Sequence, residues 1–245
     1  MKLFFVEEVT STVIRLGVEE SYHLIQVLRM QAGDEVYLTD GLGNIWRAVI
    51  RLASKRGMEL YPLEHRKAYG KRPYRVHMGI TPTKSSERFE WFLEKAVEIG
   101  VDEITPLFCQ CSERKKLNMD RVMKIIRSAV KQSFRAYLPV LNDPLSYRDF
   151  VLSRVEFGCK LIAHCNEDFE RKPLKVCIEV ESELYTILIG PEGDFSPEEI
   201  EEASVLGWQG VRLGQARLRT ETAALIALQT VALHFEDEIE DLEKF

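Results

Sequence analysis

The chain has 245 residues, 33 Lys+Arg against 39 Asp+Glu and a formal net charge of -6. A hydrophobic fraction of 45% and a charged fraction of 29% exclude a disordered, collagen-like or membrane-spanning chain. The acidic balance, taken whole, argues weakly against a nucleic-acid partner. No apolar run reaches the roughly 18 residues of a transmembrane helix. The first six residues meet Glu7-Glu8 too soon for a signal peptide, so a cytoplasmic protein is expected. The five cysteines are an odd number, and none stands at zinc-finger spacing. Cys109-Gln110-Cys111 reads as a strand segment with both thiols buried on one face rather than as a metal hairpin. The five histidines are scattered, so no metal site is expected.

Residues 1–72 read as a small β-barrel. Val13 to Leu16, Glu35 to Thr39, Ile45 to Leu52 and Met58 to Leu63 are the expected strands, with Asp40 to Asn44 as a hairpin loop. A helix is expected over Glu20 to Leu28, burying Leu24, Val27 and Leu28. The basic cluster Arg66-Lys67 and Lys71-Arg72 reads as a linker.

Residues 73–245 alternate strand and helix. Val76 to Ile80 is an apolar strand. Ser86 to Ile99 is an amphipathic helix with Phe89, Phe92, Leu93, Ala96 and Val97 on one face, stopped by Gly100. Ile104 to Phe108 is the next strand, and Asn118 is placed to cap a helix running to about Ala136. Leu161 to His164 and Tyr185 to Ile189 are further short apolar strands. This order predicts an α/β domain with a parallel sheet.

Three segments carry chemical information. In Ile189-Gly190-Pro191-Glu192-Gly193-Asp194 an apolar strand ends in a glycine turn, and Ser196, Pro197 and Glu199 spell a capped helix start. The loop lacks the glycine pattern of a dinucleotide fold and the lysine of a P-loop. Its acids would repel phosphate, so a neutral or cationic ligand suits it; a plain strand-to-helix turn fits the pattern equally well. In Leu213 to Ala224 a strand ends in Gly214, Arg217 and Arg219 follow, and Thr220 is expected to cap a helix from about Glu221 to Phe235. That helix is apolar almost all round, as expected for one buried on all sides or packed on a partner. Third, Arg121, Lys124, Arg127, Lys131 and Arg135 share one helical face with no acidic residue among them, which favours a polyanion over a plain solvated face. Glu90 and Glu94 read as a solvated stripe offset by Arg88 and Lys95.

Together these residues resemble the RsmE family of small-subunit (16S) ribosomal RNA uracil-N3 methyltransferases, of the SPOUT class. The resemblance runs along nearly the whole chain. Its most specific parts are Leu188 to Gly193, and Leu213-Gly214 followed by Leu218 to Ala223. Lys84, Lys95 to Val101, Ile104 to Leu107, Glu113-Arg114 and Gln132 with Arg135 and Pro139 support it. His23, Val27 to Met30, Gly33-Asp34 and Asp40-Gly41 resemble the family's PUA-like RNA-binding barrel. Gln215, Lys131 and the spacing of Lys84 to Glu90 depart from the common pattern.

The resemblance implies a PUA-like β-barrel at 1–72, then a SPOUT-type parallel sheet with a C-terminal trefoil knot at 73–245. It implies S-adenosyl-L-methionine as methyl donor, 16S rRNA or the small ribosomal subunit as partner, and a homodimer. It places His164, Ile189, Gly190, Pro191, Glu192, Gly193, Leu213, Gly214, Leu218, Thr220 and Ala223 at the cofactor. Arg219 and Glu221 become candidate charge stabiliser and base, with Glu98 and Arg114 in reserve. Arg29, Lys84, Arg121, Lys124, Lys131 and Arg135 become candidate RNA contacts. Another SPOUT activity, on a ribose 2'-hydroxyl or another base, and a non-catalytic RNA-binding assembly factor are the competing readings. The charge divides to match. Residues 1–140 carry 23 Lys+Arg against 17 Asp+Glu, and residues 141–245 carry 10 against 22.

Overall fold

The computed structural model describes residues 2–10, 12–54, 57–153, 158–179 and 182–238. The acidic C-terminal stretch beyond position 238 lies outside them. Two compact units form. Of the described residues, one holds the chain up to Lys71 together with Val130–Leu138; the other holds Arg72–Ala129 and Pro139 to Glu238.

In the first unit, β1 (Leu3–Phe5), β2 (Glu8–Val9), β3 (Ile14–Leu16), β4 (Glu35–Thr39), β5 (Ile45–Ser54) and β6 (Gly57–Arg66) make one sheet. Its order is β1-β4-β5-β6-β3-β2. Only β1 and β4 pair in parallel. Alternation sends Val36, Leu38, Trp46, Ala48, Ile50, Met58 and Leu60 inward, where they meet Phe4 of β1 and Ile14 and Leu16 of β3. Strands from both ends of the order therefore share one core, and the sheet curls into a half-barrel. Its edge strands β1 and β2 belong to one bent segment: Val6 N–H donates to the Thr39 carbonyl of β4 and Glu7 N–H to the Arg15 carbonyl of β3, so residues 3–9 pair with both ends of the curled sheet.

The expected helix over Glu20 to Leu28 is instead α1 (Val18–Tyr22) followed by a π-helical turn, His23–Val27. The wider turn, with Leu28 N–H donating to His23 O, shifts the inward stripe. Leu24 is buried and Ile25 and Leu28 pack beside it, but Val27, expected inside, is 62% exposed. The Asp40 loop forms as read: Asp40 accepts from Leu42 N and Asn44 N and from the Asn44 side chain. Strand β6 runs on to Arg66, which pairs with Glu64 at 2.8 Å, so this residue is not linker.

The second unit is a parallel sheet with helices on both faces. Its elements are β7 (Arg75–Ile80), α2 (Ser86–Ile99), β8 (Glu103–Phe108), α3 (Met119–Ser133), β9 (Val140–Leu141), β10 (Leu145–Ser146), α4 (Tyr147–Ser153), β11 (Cys159–Ala163), β12 (Lys172–Pro173), β13 (Leu184–Ile189), α5 (Pro197–Val205), β14 (Gln209–Arg212) and α6 (Thr220–His234). The strand order is β10-β8-β7-β13-β11-β14-β12, with β9 also on β8, and every pairing is parallel. Period two divides the strands between two cores. Leu107, Ile162 and Leu188 meet Phe150 of α4 and Ile200 and Ala203 of α5. On the opposite face Tyr185 meets Phe235, just past α6, which also stacks on Tyr74. Helix α2 packs against α6.

The predicted α2 is observed from end to end, its five apolar residues are buried, and Gly100 ends it at φ 116°. Asn118 caps α3 by accepting from Arg121 N. That helix stops at Ser133, short of Ala136, because Phe134 turns to φ 56°. The chain then runs through Ala136, which packs with Leu3 and Ile45. Thr39 donates its hydroxyl to the Ala136 carbonyl, and Leu42 bridges to Tyr137.

Gly43 is where this segment tolerates no side chain. Its φ is 97°, and a Cβ there would overlap the Tyr137 ring. Replacing Gly43 by Ala is expected to destabilise the first unit by about 1–3 kcal/mol, read as a lower urea midpoint with an unchanged slope.

Candidate functional site

Strands β11, β13 and β14 are neighbours, and all end on the same edge of the sheet. Open parallel sheets bind ligands beyond such carboxyl ends. Here they open into a cleft of 1030 Å³ between the segments after each strand and the start of α6. The cleft is lined by His164, Ile189, Gly190, Pro191, Glu192, Gly193, Leu213, Gly214, Leu218, Thr220 and Ala223. The fold thus gathers in one place every residue the resemblance assigned to a cofactor.

Local chemistry explains how these segments are held. Ser196 caps α5 through a full capping box with Glu199, behind Pro197, as its sequence predicts. Thr220 does not cap α6; the N-cap is Arg219, with no side-chain bond. The Thr220 hydroxyl instead donates to the Gly190 carbonyl at 3.1 Å, joining the start of α6 to the end of β13. A buried hydroxyl aimed at an orphan strand-end carbonyl satisfies both groups, whereas capping would leave that carbonyl bare. Glu192 binds the Lys84 backbone N–H at 2.9 Å through its carboxylate and accepts from Arg217 through its carbonyl. Lys84 itself pairs with Glu113 at 2.7 Å, which raises the lysine pKa.

The cleft carries charges of both signs. Glu167, Glu192 and Asp194 line it together with Arg171, Arg212, Arg217 and Arg219. His164 is 5% exposed, neither ring nitrogen has a hydrogen-bond partner among the described residues, and burial lowers its pKa. The ring sits against Gly210, where a side chain would collide with Nε2. Apolar Ile189, Leu213 and Leu218, free backbone around the glycines, an orphaned imidazole and nearby carboxylates fit a ligand combining a flat heterocycle with a cationic sulfonium.

The remaining candidates fall elsewhere. Arg219 lines the cleft and is exposed. Glu221 does not line it; it is 6% exposed in the first turn of α6, with Arg88 Nε at 3.9 Å. Glu98 lies on α2 and pairs with Lys95, which also holds Glu94. Arg114 donates to the Lys116 carbonyl, and neither it nor Glu98 lines the cleft. Arg29 is exposed at φ 56° in the first unit. The cationic face of α3 is less free than its sequence implies. Arg121 forms two bonds to Glu90, at 2.5 and 2.7 Å, and holds that carboxyl below its usual range. Lys131 pairs with Glu20 at 3.0 Å. The expectation of cations without counter-charge therefore fails at these two positions, and Glu90 is no solvated stripe. Lys124 is exposed.

Sequence reasoning missed Cys165, Arg171 and Asp194 at the cleft. Asp194 stood inside the quoted motif but read only as a charge hostile to phosphate. Cys165 and Arg171 follow β11 with no periodic or turn signal. The paired-thiol reading is corrected as well. Strand β8 stops at Phe108, so Cys109 is buried while Cys111 lies exposed in a turn. Among the described residues no group of three or more His, Cys, Asp or Glu converges on a metal-sized site. None of their helices is long and apolar enough to cross a membrane.

The thiols give a direct check of this geometry. Burial pushes Cys109 and Cys159 up to about 12 and raises Cys177, whereas Cys111 and Cys165 are exposed. Iodoacetamide at about pH 8, near the ordinary thiol pKa, should label Cys111 and Cys165 in the native protein, and all five cysteines only after unfolding. Peptide mass spectrometry reads the difference.

Residues 70–232 match the family model described as an RNA methyltransferase domain, and residues 16–60 match an RNA methyltransferase PUA domain. The ribosomal RNA small subunit methyltransferase E of Mesomycoplasma hyopneumoniae (strain 232) is 38% identical over 157 residues, covering 62% of this chain and 65% of that protein. The crystal structure of a probable rRNA methyltransferase from Porphyromonas gingivalis superposes with TM-score 0.86 at 37% identity, over 96% of this chain and 100% of that one. Ribosomal RNA small subunit methyltransferase E from Neisseria gonorrhoeae, solved bound to S-adenosyl methionine, superposes with TM-score 0.81 at 27% identity, over 98% of both chains. With a match across about two thirds of its length and a parallel sheet opening into a glycine-lined cleft, the chain belongs to the RNA methyltransferase family.

Proposed function

We propose that this chain transfers a methyl group from S-adenosylmethionine to N3 of a specific uridine in 16S rRNA of the small ribosomal subunit. The observation that carries the reading is the convergence of both glycine loops and the first turn of α6 on one cleft at the carboxyl ends of β11, β13 and β14. The similarity to small-subunit methyltransferases, one solved with S-adenosyl methionine, gives the donor and the substrate class. Residues 1–72 serve as the RNA-binding PUA-like domain, and residues 73–245 as the knotted methyltransferase domain.

When bound, S-adenosylmethionine supplies an electrophilic methyl carbon on a cationic sulfur. The chain's part is to seat the donor and to make uracil N3 nucleophilic. Residues 189–193 and 213–218, which line the cleft, would hold the adenosyl portion, and the carboxylates of Glu192 and Asp194 would favour positive charge nearby. Arg219 is the cation placed to offset negative charge on O2 or O4 as the N3 proton departs to water. Glu221, Glu98 and Arg114 stand outside the cleft lining, so no role at the reacting atoms is given to them. The nucleotide must be unpaired or flipped, because N3 is hidden in a Watson–Crick pair. Lys84, Arg121, Lys124 and neighbouring cations serve the RNA backbone.

The enzyme is further inferred to be a cytoplasmic homodimer. The stripe Thr220, Glu221, Ala224, Ala227, Leu228 and Val231 of α6 is buried, while Leu225 and Ile226 are half-buried and Leu233 is 55% exposed. That second apolar face is suited to the partner subunit.

Two measurements test the proposal. Nucleoside mass spectrometry of small-subunit rRNA from a deletion strain should lose one 3-methyluridine; an unchanged nucleoside profile overturns the assignment. Arg219→Ala should lower kcat/KM by about 100- to 1000-fold, as for removal of a charge-stabilising donor, while donor affinity by calorimetry stays within about twofold.

A further inference from the structure

Asp194 is the feature of the cleft that its turn geometry does not explain. It is one of four non-glycine residues with positive φ among those described, at 70°. Its own N–H donates to the Pro191 carbonyl at 2.9 Å, closing the turn after β13. That role needs only the backbone, and glycine adopts this region with less strain than aspartate. The side chain has separate work. Oδ2 accepts the Cys165 N–H at 2.7 Å, and Oδ1 accepts the Phe195 N–H at 2.8 Å.

These two bonds reach different parts of the cleft wall. Cys165 opens the segment that follows β11, and it lines the cleft beside His164. Phe195 is 4% exposed, and its ring lies flush on Gly190, where a Cβ would meet it at 3.0 Å. The Gly190 carbonyl in turn receives the Thr220 hydroxyl. One half-buried carboxylate therefore ties the exit of β11 to the exit of β13, and through Phe195 it sets the position of the glycine that meets α6.

We propose that Asp194 is a positioning residue of the donor cleft: its carboxylate staples the segment after β11 to the turn after β13, so that the two walls are preformed when the methyl donor arrives. The inference rests on the donor-cleft reading above. A wall held in place before binding loses less freedom on binding, so the staple acts on affinity.

The two roles separate by substitution. Asp194→Gly keeps the turn, relieves its strain and removes both side-chain acceptors. Asp194→Asn tolerates the same φ and retains one acceptor oxygen. Hydrogen bonds to a charged group are each worth enough to move an affinity by about tenfold. Calorimetry with S-adenosylmethionine should find Asp194→Gly weaker than wild type by about tenfold or more, with Asp194→Asn intermediate. Hydrogen exchange without ligand should speed up at the Cys165 and Phe195 amides in Asp194→Gly, while the amides of β13 keep their protection. A purely structural role would slow or speed all of these together and would track melting temperature.

Wild-type affinity in Asp194→Gly overturns the proposal, and so does unchanged exchange at Cys165. If Asp194→Gly does not fold, Asp194→Asn decides: donor affinity equal to wild type overturns it. Absence of donor binding by the wild-type protein overturns the proposed function instead, and in that case the exchange data still show whether the staple exists.

Discussion

Parallel strands leave their unpaired backbone groups on one edge, and the cleft is organised by how those groups are satisfied. The Ile189 carbonyl accepts from Thr81 N, the Gly190 carbonyl from the Thr220 hydroxyl, the His164 carbonyl from Arg171, and Asp194 takes the Cys165 N–H. Where the carbonyl is buried, as at Gly190, the bond removes a polar group that would otherwise be left bare, at about 1–3 kcal/mol. The bonds of Thr81, Thr220 and Asp194 also join segments distant in sequence. The same constraint that lets the sheet end in glycines therefore fixes the shape of the cavity beyond it. The imidazole nitrogens of His164, just past β11, are buried without a hydrogen-bond partner among the described residues.

Helix α6 depends on this arrangement more than on its own capping. Its first turn lacks a side-chain cap, and the residue best suited by type, Thr220, turns toward β13. The lost cap is offset by burial. Ala224, Ala227, Leu228 and Val231 pack inward at helical spacing, and α2 lies alongside. A helix anchored by its apolar stripe is free to present its N-terminal N–H groups and Arg219 to a ligand.

What the sequence made legible follows the range of the forces involved. Helix α2, its glycine stop, the Asp40 loop and the capping box at Ser196 arise from interactions within a few residues, and reading the chain locally recovers them. The cleft lining was legible for a different reason. Glycines at strand ends allow close backbone approach but fit a plain turn equally well, and it was the resemblance of both loops to one family that singled out these residues. The failures involve distant partners. Glu90 meets Arg121 across 31 positions, Glu20 meets Lys131 across 111, and Glu192 meets the Lys84 backbone across 108. No one-dimensional charge pattern contains those pairings. Val27 failed for a geometric reason, since a π-helical turn breaks the 3.6-residue period on which its burial was inferred.

The pairing of the α3 cations alters how that helix meets a polyanion. An exposed cation gains by displacing the counterions condensed on phosphate. A cation already held by a carboxylate must first give up that partner, and exposed ion pairs are worth at most about 1 kcal/mol. Arg121, with an exposed side chain and two bonds to Glu90, sits in that regime, and so does Lys131 on the half-buried carboxylate of Glu20. Breaking either pair leaves a carboxylate facing the incoming phosphate unless the acid also moves. Lys124, exposed and without an ion pair among the described residues, carries no such penalty. The face is therefore less free to meet a polyanion than a count of its cations implies.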